Sequence, residues 1–203
     1  MGNKKASPLK YQTPPEWSEQ VLREPLVLLS DQAYLEKKAA NNALEFLNLW
    51  PSAKAPAHWL SSISTIAGDE TAHLKMVLRL LEKRGGTLER THKNPYAVDL
   101  HQLVRRGKGK QDLADRLLVS ALIEARSCER FERLVDGCKD VELSKFYAGL
   151  IKSENGHYRL FVDMAKKVLQ AREVEKRWED LLAEEAKIIQ AQPPGPRIHS
   201  GVA

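Results

Sequence analysis

Along four long stretches of the chain, apolar residues recur at alternating steps of three and four, the period of amphipathic helices packed side by side. The first stretch runs from about Pro25, suited to a first helical turn, to Trp50-Pro51, with the seam Leu26, Leu29, Ala33, Glu36, Ala40, Ala43, Leu47. The second, from near Pro56 to Gly85-Gly86, reads Trp59, Ile63, Ile66, Glu70, His73, Val77, Leu80. The third spans roughly Gln111 to Asp136 and reads Leu117, Ala121, Glu124, Cys128, Phe131, Val135. The fourth, from about Asp140 to Leu169, reads Leu143, Tyr147, Leu150, Glu154, His157, Phe161, Met164, Val168. No run of period-two alternation competes with these.

Short connections join the first stretch to the second and the third to the fourth, whereas Gly85 to Lys110 forms one long crossover. That connectivity predicts an all-α protein: a ferritin-like four-helix bundle with one long crossover. Val174, Trp178, Leu181, Leu182, Ile188 and Ile189 predict an additional C-terminal helix. Residues 1–203 read as a single domain, with 1–15 and 191–203 as irregular tails.

Six seam positions that should be apolar are not: Glu36, Glu70, His73, Glu124, Glu154 and His157. A lone ionised carboxylate in a bundle core costs several kcal/mol. Four in one core require a cation. Residues at i and i+3 share a helix face, so Glu70 with His73, and Glu154 with His157, can each serve one metal. One Glu from each of two helices plus Glu-x-x-His from the other two is the ligand set of di-metal carboxylate bundles. Four carboxylates balance two divalent ions, and oxygen with imidazole suits iron or manganese.

A single Glu-x-x-His means little, because a chain of this composition holds about half a copy by chance. A third copy, Glu89-x-x-His92, lies in the crossover off any seam and reads as chance. Glu129, five positions after Glu124, faces away from the seam and is expected to be an exposed partner of Arg126 or Arg133. Asp31 is a candidate acceptor for a ligand histidine. Tyr147 borders the ligands or simply packs. His58, His92 and His101 read as surface residues.

Net charge is +5, but it is unevenly spread. Between Lys83 and Lys110, the residues Lys83, Arg84, Arg90, Lys93, Arg105, Arg106, Lys108 and Lys110 face only Glu89 and Asp99, which makes this stretch a candidate phosphate-binding segment. No apolar run approaches the ~20 residues needed to cross a bilayer. The N-terminus, Met1 to Pro8, lacks the apolar core of a secretory signal. Cys128 and Cys138, ten apart in one helical stretch, cannot bridge, and the expected location is the cytoplasm.

Several segments resemble the tRNA 2-methylthio-isopentenyladenosine hydroxylases, the MiaE family. They are Ser30-Asp31-Gln32-Ala33 to Glu36-Lys37-Lys38-Ala39-Ala40, Ile123 to Phe131, Ser153-Glu154 to His157-Tyr158, and Arg197-Ile198-His199-Ser200-Gly201. The resemblance runs from about Thr13 to Gly201. It implies a non-haem di-iron monooxygenase that uses O2 and an unidentified electron donor to hydroxylate the isopentenyl group of a modified adenosine beside the tRNA anticodon. Glu36, Glu70, His73, Glu124, Glu154 and His157 would be its iron ligands, and tRNA, not a membrane, its partner. Tyr96, the sole aromatic of the crossover, would be a candidate for base stacking. The chain departs from the family at Gln32, where the family has His, and at Asn155-Gly156, where it has Ala-Arg.

The same ligands permit ferritin-like or rubrerythrin-like iron oxidation or peroxide reduction, although no Cys-x-x-Cys pair exists to carry a rubredoxin centre. A metal-free helical RNA-binding or scaffold protein is the third class. The sequence leaves open the donor, the product stereochemistry, the need for the methylthio group and the oligomeric state.

Overall fold

The computed structural model describes residues 7–203. The reading of Met1 to Pro8 as no secretory signal falls, for residues 1–6, outside them. Among the described residues there are seven helices and no strand: α1 (Glu16–Val21), α2 (Pro25–Phe46), α3 (Ala57–Lys83), α4 (Pro95–Gln102), α5 (Lys110–Gly137), α6 (Val141–Val168) and α7 (Ala171–Gln190). Helices α2 and α3 pack as one hairpin and α5 and α6 as another, and α7 lies against α5 and α6. The four-helix bundle, its long crossover and the extra C-terminal helix thus follow the hydrophobic pattern.

Helix boundaries have local causes. Pro25 occupies the first turn of α2, where its missing N–H costs nothing. Asp140 caps α6, accepting from the backbone N–H of Glu142 and Leu143 at 3.0 Å each. After α3, Gly85 takes a left-handed φ of 73°.

Two apolar clusters fill the bundle. One contains Ala43, Phe46, Ile63, Ile66, Leu117 and Phe161, and the other Ala33, Val77, Leu80, Phe131, Leu134 and Leu150. On α2, Glu36 falls between Ala33 and Ala43; on α3, Glu70 and His73 fall between Ile66 and Val77. Glu124 on α5, and Glu154 and His157 on α6, meet Glu70 at the same level. The six residues therefore form a polar layer between two hydrophobic cores. Each fully buried Leu or Phe on either side contributes about 1.5–3 kcal/mol, which holds the layer in place.

The crossover is not a plain loop. Asn94 accepts from Ala97 N–H and Pro95 starts α4, a helix start signal within the segment read as loop. Tyr96, a candidate for base stacking, is instead fully buried, its hydroxyl donating to Glu185 at 2.9 Å. Glu129 is likewise not exposed. It accepts from Thr13 N–H at 2.9 Å, from the Thr13 hydroxyl at 2.6 Å and from Arg126 Nη1 at 2.9 Å. Arg126 also makes a bidentate pair with Glu185, at 2.8 and 2.9 Å. This buried group ties the N-terminal segment, α4, α5 and α7 together.

The two tails are largely irregular but packed. Leu9 and Thr13 are buried, as are Ile198, His199 and Ser200. Gly201 lies so close to the chain that a Cβ there would stand 1.9 Å from the Gln192 carbonyl oxygen. Both cysteines are free, as expected.

Candidate metal centre

The structure brings all six seam residues together. Donor atoms of Glu36, Glu70, His73 and Glu154 lie within 4.8 Å of one another, as do those of Glu70, Glu124, Glu154 and His157. Glu70 and Glu154 belong to both quartets, Glu36 and His73 only to one, and Glu124 and His157 only to the other. Each hairpin therefore contributes one shared and one terminal carboxylate with one imidazole. All six are buried.

Glu70 Oε1, His73 Nδ1, Glu154 Oε1 and His157 Nδ1 are buried without a hydrogen-bond partner. His157 Nδ1 stands 2.7 Å from Glu70 Oε1, but the direction is wrong for a hydrogen bond. His73 Nδ1 is 3.3 Å from Glu154 Oε1 and 3.5 Å from Glu36 Oε2. Buried polar atoms in native proteins are almost always satisfied. Donors that converge without bonding one another fit two divalent cations.

The other nitrogen of His157, Nε2, lies 3.1 Å from Asp69 Oδ2, the carboxylate support that a metal-ligating histidine usually has. Asp31, the sequence candidate for that role, is occupied elsewhere, with His92, Arg197 and the Ile198 N–H. Gln32 donates to Glu36 and so orients a ligand carboxylate. Tyr147 packs on Phe131 and Phe146, with ring centroids 5.3 and 5.0 Å away. Gly156 is exposed, and a Cβ there would meet nothing within 4 Å. Gly156→Ala is expected to stabilise the protein by about 1 kcal/mol without altering metal content. Urea titration and metal analysis check this.

Without a cation, burial pushes Glu36 up to about 8 and Glu124 up to about 7, and drives Glu154 well above the carboxylate range. Burial opposes charge on the imidazoles too, but the neighbouring carboxylates win and raise His73 to about 10 and His157 to about 9. Glu70 runs the other way. Its burial is outweighed by the two imidazoles beside it, which hold it at about 2.

Groups whose folded pKa is raised stabilise the fold below the unfolded value, and that stability is lost as pH rises through the folded value. The metal-free protein is therefore expected to lose stability from pH 6 to pH 9. Glu70 opposes this only as pH falls toward about 2. Metal binding requires deprotonated ligands, so added ferrous ion should reverse the trend. Thermal melts at both pH values, with and without metal, test the pair of outcomes.

Beside the layer lies a cavity of about 690 Å³. Glu36, Glu70, Glu124 and Glu154 line its floor, Leu35, Ala39 and Ile123 are among its apolar wall residues, and exposed Lys38 and Lys93 stand at its mouth. Of the basic residues between Lys83 and Lys110, Lys83 and Arg84 are paired with Glu142, Arg84 also with Asp140, and Arg105 with Asp115. Arg90, Lys93, Arg106, Lys108 and Lys110 are exposed, and among the described residues no ion pair holds them. His58 is exposed, as expected, and His101 is half-buried at the cavity wall. His92 is not a surface residue: its side chain is 1% exposed, stacked on Tyr34 and bonded to Asp31 at 2.7 Å.

The terminal Arg197 to Gly201 run had no assigned role in the sequence. Arg197 reaches Asp31 and Glu89 at 3.2 and 3.3 Å, and His199 reaches Asn94 at 3.2 Å and Ser127 at 3.3 Å. The run clamps the crossover against α2 and α5.

A family model described as "MiaE: tRNA-(MS[2]IO[6]A)-hydroxylase (MiaE)" matches residues 2–200. A curated relative from Pseudomonas putida, named tRNA 2-(methylsulfanyl)-N(6)-isopentenyladenosine(37) hydroxylase, is 38% identical over 192 residues, covering 94% of this chain and 90% of its own. A namesake from Salmonella typhimurium is 31% identical over 134 residues, covering 66% of this chain and 48% of the longer relative. Among solved structures, a Synechococcus protein described as having aldehyde deformylating oxygenase activity superposes with a TM-score of 0.88 at 31% identity, with 96% of both chains covered. A match across nearly the whole length, on a ferritin-like bundle with a buried carboxylate and histidine layer, shows that this chain belongs to the MiaE family of tRNA hydroxylases.

Proposed function

We propose that this protein is a non-haem di-iron monooxygenase that hydroxylates the isopentenyl group of 2-methylthio-isopentenyladenosine beside the tRNA anticodon, in the cytoplasm. The observation that carries the reading is the cavity, which joins a floor of four ligand carboxylates to a basic mouth through apolar walls. Glu36, Glu70, His73, Glu124, Glu154 and His157 would hold two iron ions, with Glu70 and Glu154 shared. When bound, the metal pair supplies O2 activation for attack on an aliphatic C–H bond, with electrons from a donor protein.

The chain's own residues do the rest. Apolar walls suit a branched five-carbon group and keep water from the reacting carbon. The adenine need not leave a duplex, because a loop nucleotide is already partly unstacked. Arg90, Lys93, Arg106, Lys108 and Lys110 are the crossover residues left free to meet phosphates. Lys83, Arg84 and Arg105, committed to carboxylates, contribute less. Asp69 holds the His157 ring by its outer nitrogen, keeping Nδ1 turned to the cluster.

Oxygen uptake by ferrous-loaded protein with excess reductant tests the reading. Prenylated anticodon stem-loop RNA is expected to accelerate uptake, and the same RNA without the prenyl group is not. Equal uptake with both would favour iron oxidation or peroxide chemistry. Acceleration by an aldehyde alone would align the chain with its Synechococcus neighbour instead.

A further inference from the structure

The third Glu-x-x-His copy, Glu89-x-x-His92, lies off every seam yet has a structural use. Its segment is fastened to α2 at several points. Glu89 N–H donates to Ser30 Oγ at 3.0 Å, the Glu89 carbonyl accepts from the Tyr34 hydroxyl at 2.6 Å, and Arg197 bridges Asp31 and Glu89. This delivers His92 to the cavity mouth, stacked flat on Tyr34 with 4.8 Å between ring centroids.

There the imidazole joins two charges. Nε2 lies 2.7 Å from Asp31 Oδ1, and Nδ1 lies 2.8 Å from Lys38 Nζ. A carboxylate and an ammonium on opposite sides fix the tautomer: Nε2 carries the proton and donates to Asp31, and Nδ1 accepts from Lys38. One Lys38 hydrogen is thereby held, and two remain free on an exposed ammonium at the mouth of the cavity. Lysine on a flexible stem normally loses entropy on binding a ligand. Here the imidazole has already aimed it.

We propose that Lys38, positioned by His92 and Asp31, binds the phosphodiester flanking the target nucleotide and so sets how deeply the modified base enters the cavity. Lys93, exposed on the same rim, provides the neighbouring charge. Lys38 belongs to α2 and lies outside the basic crossover, so the contact differs from general attraction of RNA to that segment. It also lies two residues after Glu36 on α2, which couples the phosphate grip to the metal layer by a single rigid helix. Lys38 and His92 act on position, not on the reacting atoms.

The inference rests on the proposed function, and the test separates the two. Wild-type and Lys38→Gln proteins, both metal-loaded, are compared for binding and hydroxylation of prenylated anticodon stem-loops in which each phosphate flanking the target nucleotide is replaced singly by an uncharged methylphosphonate. One methylphosphonate is expected to weaken wild-type binding about threefold to tenfold, and Lys38→Gln to weaken it similarly while lowering the log–log salt slope by about 0.7. Combining the two should cost no more than either alone. Lys38→Arg should restore binding, and His92→Ala should raise KM for RNA with metal content kept. Additive losses, or an unchanged salt slope in Lys38→Gln, overturn the inference while leaving the hydroxylase reading intact. Wild-type protein that binds two irons yet leaves every stem-loop unoxidised overturns the hydroxylase reading and the inference with it.

Discussion

Replacing Arg126 with methionine is expected to lower the stability of the protein by about 3–5 kcal/mol, the cost of breaking a buried charge group from one side. Arg126, Glu129 and Glu185 are 0%, 4% and 0% exposed. The guanidinium makes a bidentate pair with Glu185, a bond to Glu129 at 2.9 Å and one to the Tyr11 carbonyl at 3.1 Å. Its removal strands two carboxylates away from water. For a chain of this length the loss corresponds to a fall in Tm of roughly 6–20 °C. Removing Glu185 too should recover part of it, because an apolar replacement of an ion pair is often neutral, while Glu129 keeps its bonds from Thr13 and the Tyr96 hydroxyl loses its acceptor. Arg126→Met with Glu185→Leu is therefore expected to melt above the single variant. A single variant within 1 kcal/mol of wild type in urea titration would contradict the assigned role.

Glu154→Gln is expected to have the opposite profile. Glu154 offers an oxygen to both quartets, so its loss should reduce metal occupancy and cut hydroxylation by at least about a hundredfold, more than the loss of a ligand's outer support. In the metal-free protein the same change removes a carboxyl whose ionised form burial strongly disfavours. The variant should therefore lose less stability than wild type between pH 7 and pH 9. Metal analysis, turnover and thermal melts read the three effects. A metal-free variant that melts below wild type at pH 9 would indicate that Glu154 serves mainly as a structural partner.

The bundle was legible because its four seams span long helices in which a period of three and four cannot be confused with a strand. The ligands were legible for a related reason: a carboxylate on an apolar seam is an anomaly that only a partner explains. Most of what escaped is set by contacts distant in sequence that break no apolar pattern. Glu129 has the angular position of an outward residue, yet Thr13, 116 residues earlier, crosses over it and buries it. Asp31 was placed near the right helix but with the wrong histidine, since which ring it meets depends on the path of the crossover. α4 carries a local signal, Asn94-Pro95, but its eight residues are too few for an apolar seam to stand out. The terminal Arg197 to Gly201 run, visible only as a likeness, owes its pattern to clamping that crossover.

The six-residue layer is expected to oxygenate a prenylated tRNA. This is tested by loading the protein anaerobically with two ferrous ions and adding prenylated tRNA and reductant. ¹⁸O₂ is then admitted, and the digested nucleoside is weighed by mass spectrometry. One added oxygen, carrying the label, is expected on the isopentenyl group. An unaltered nucleoside from protein with both irons bound, or an added oxygen drawn from water, would contradict it.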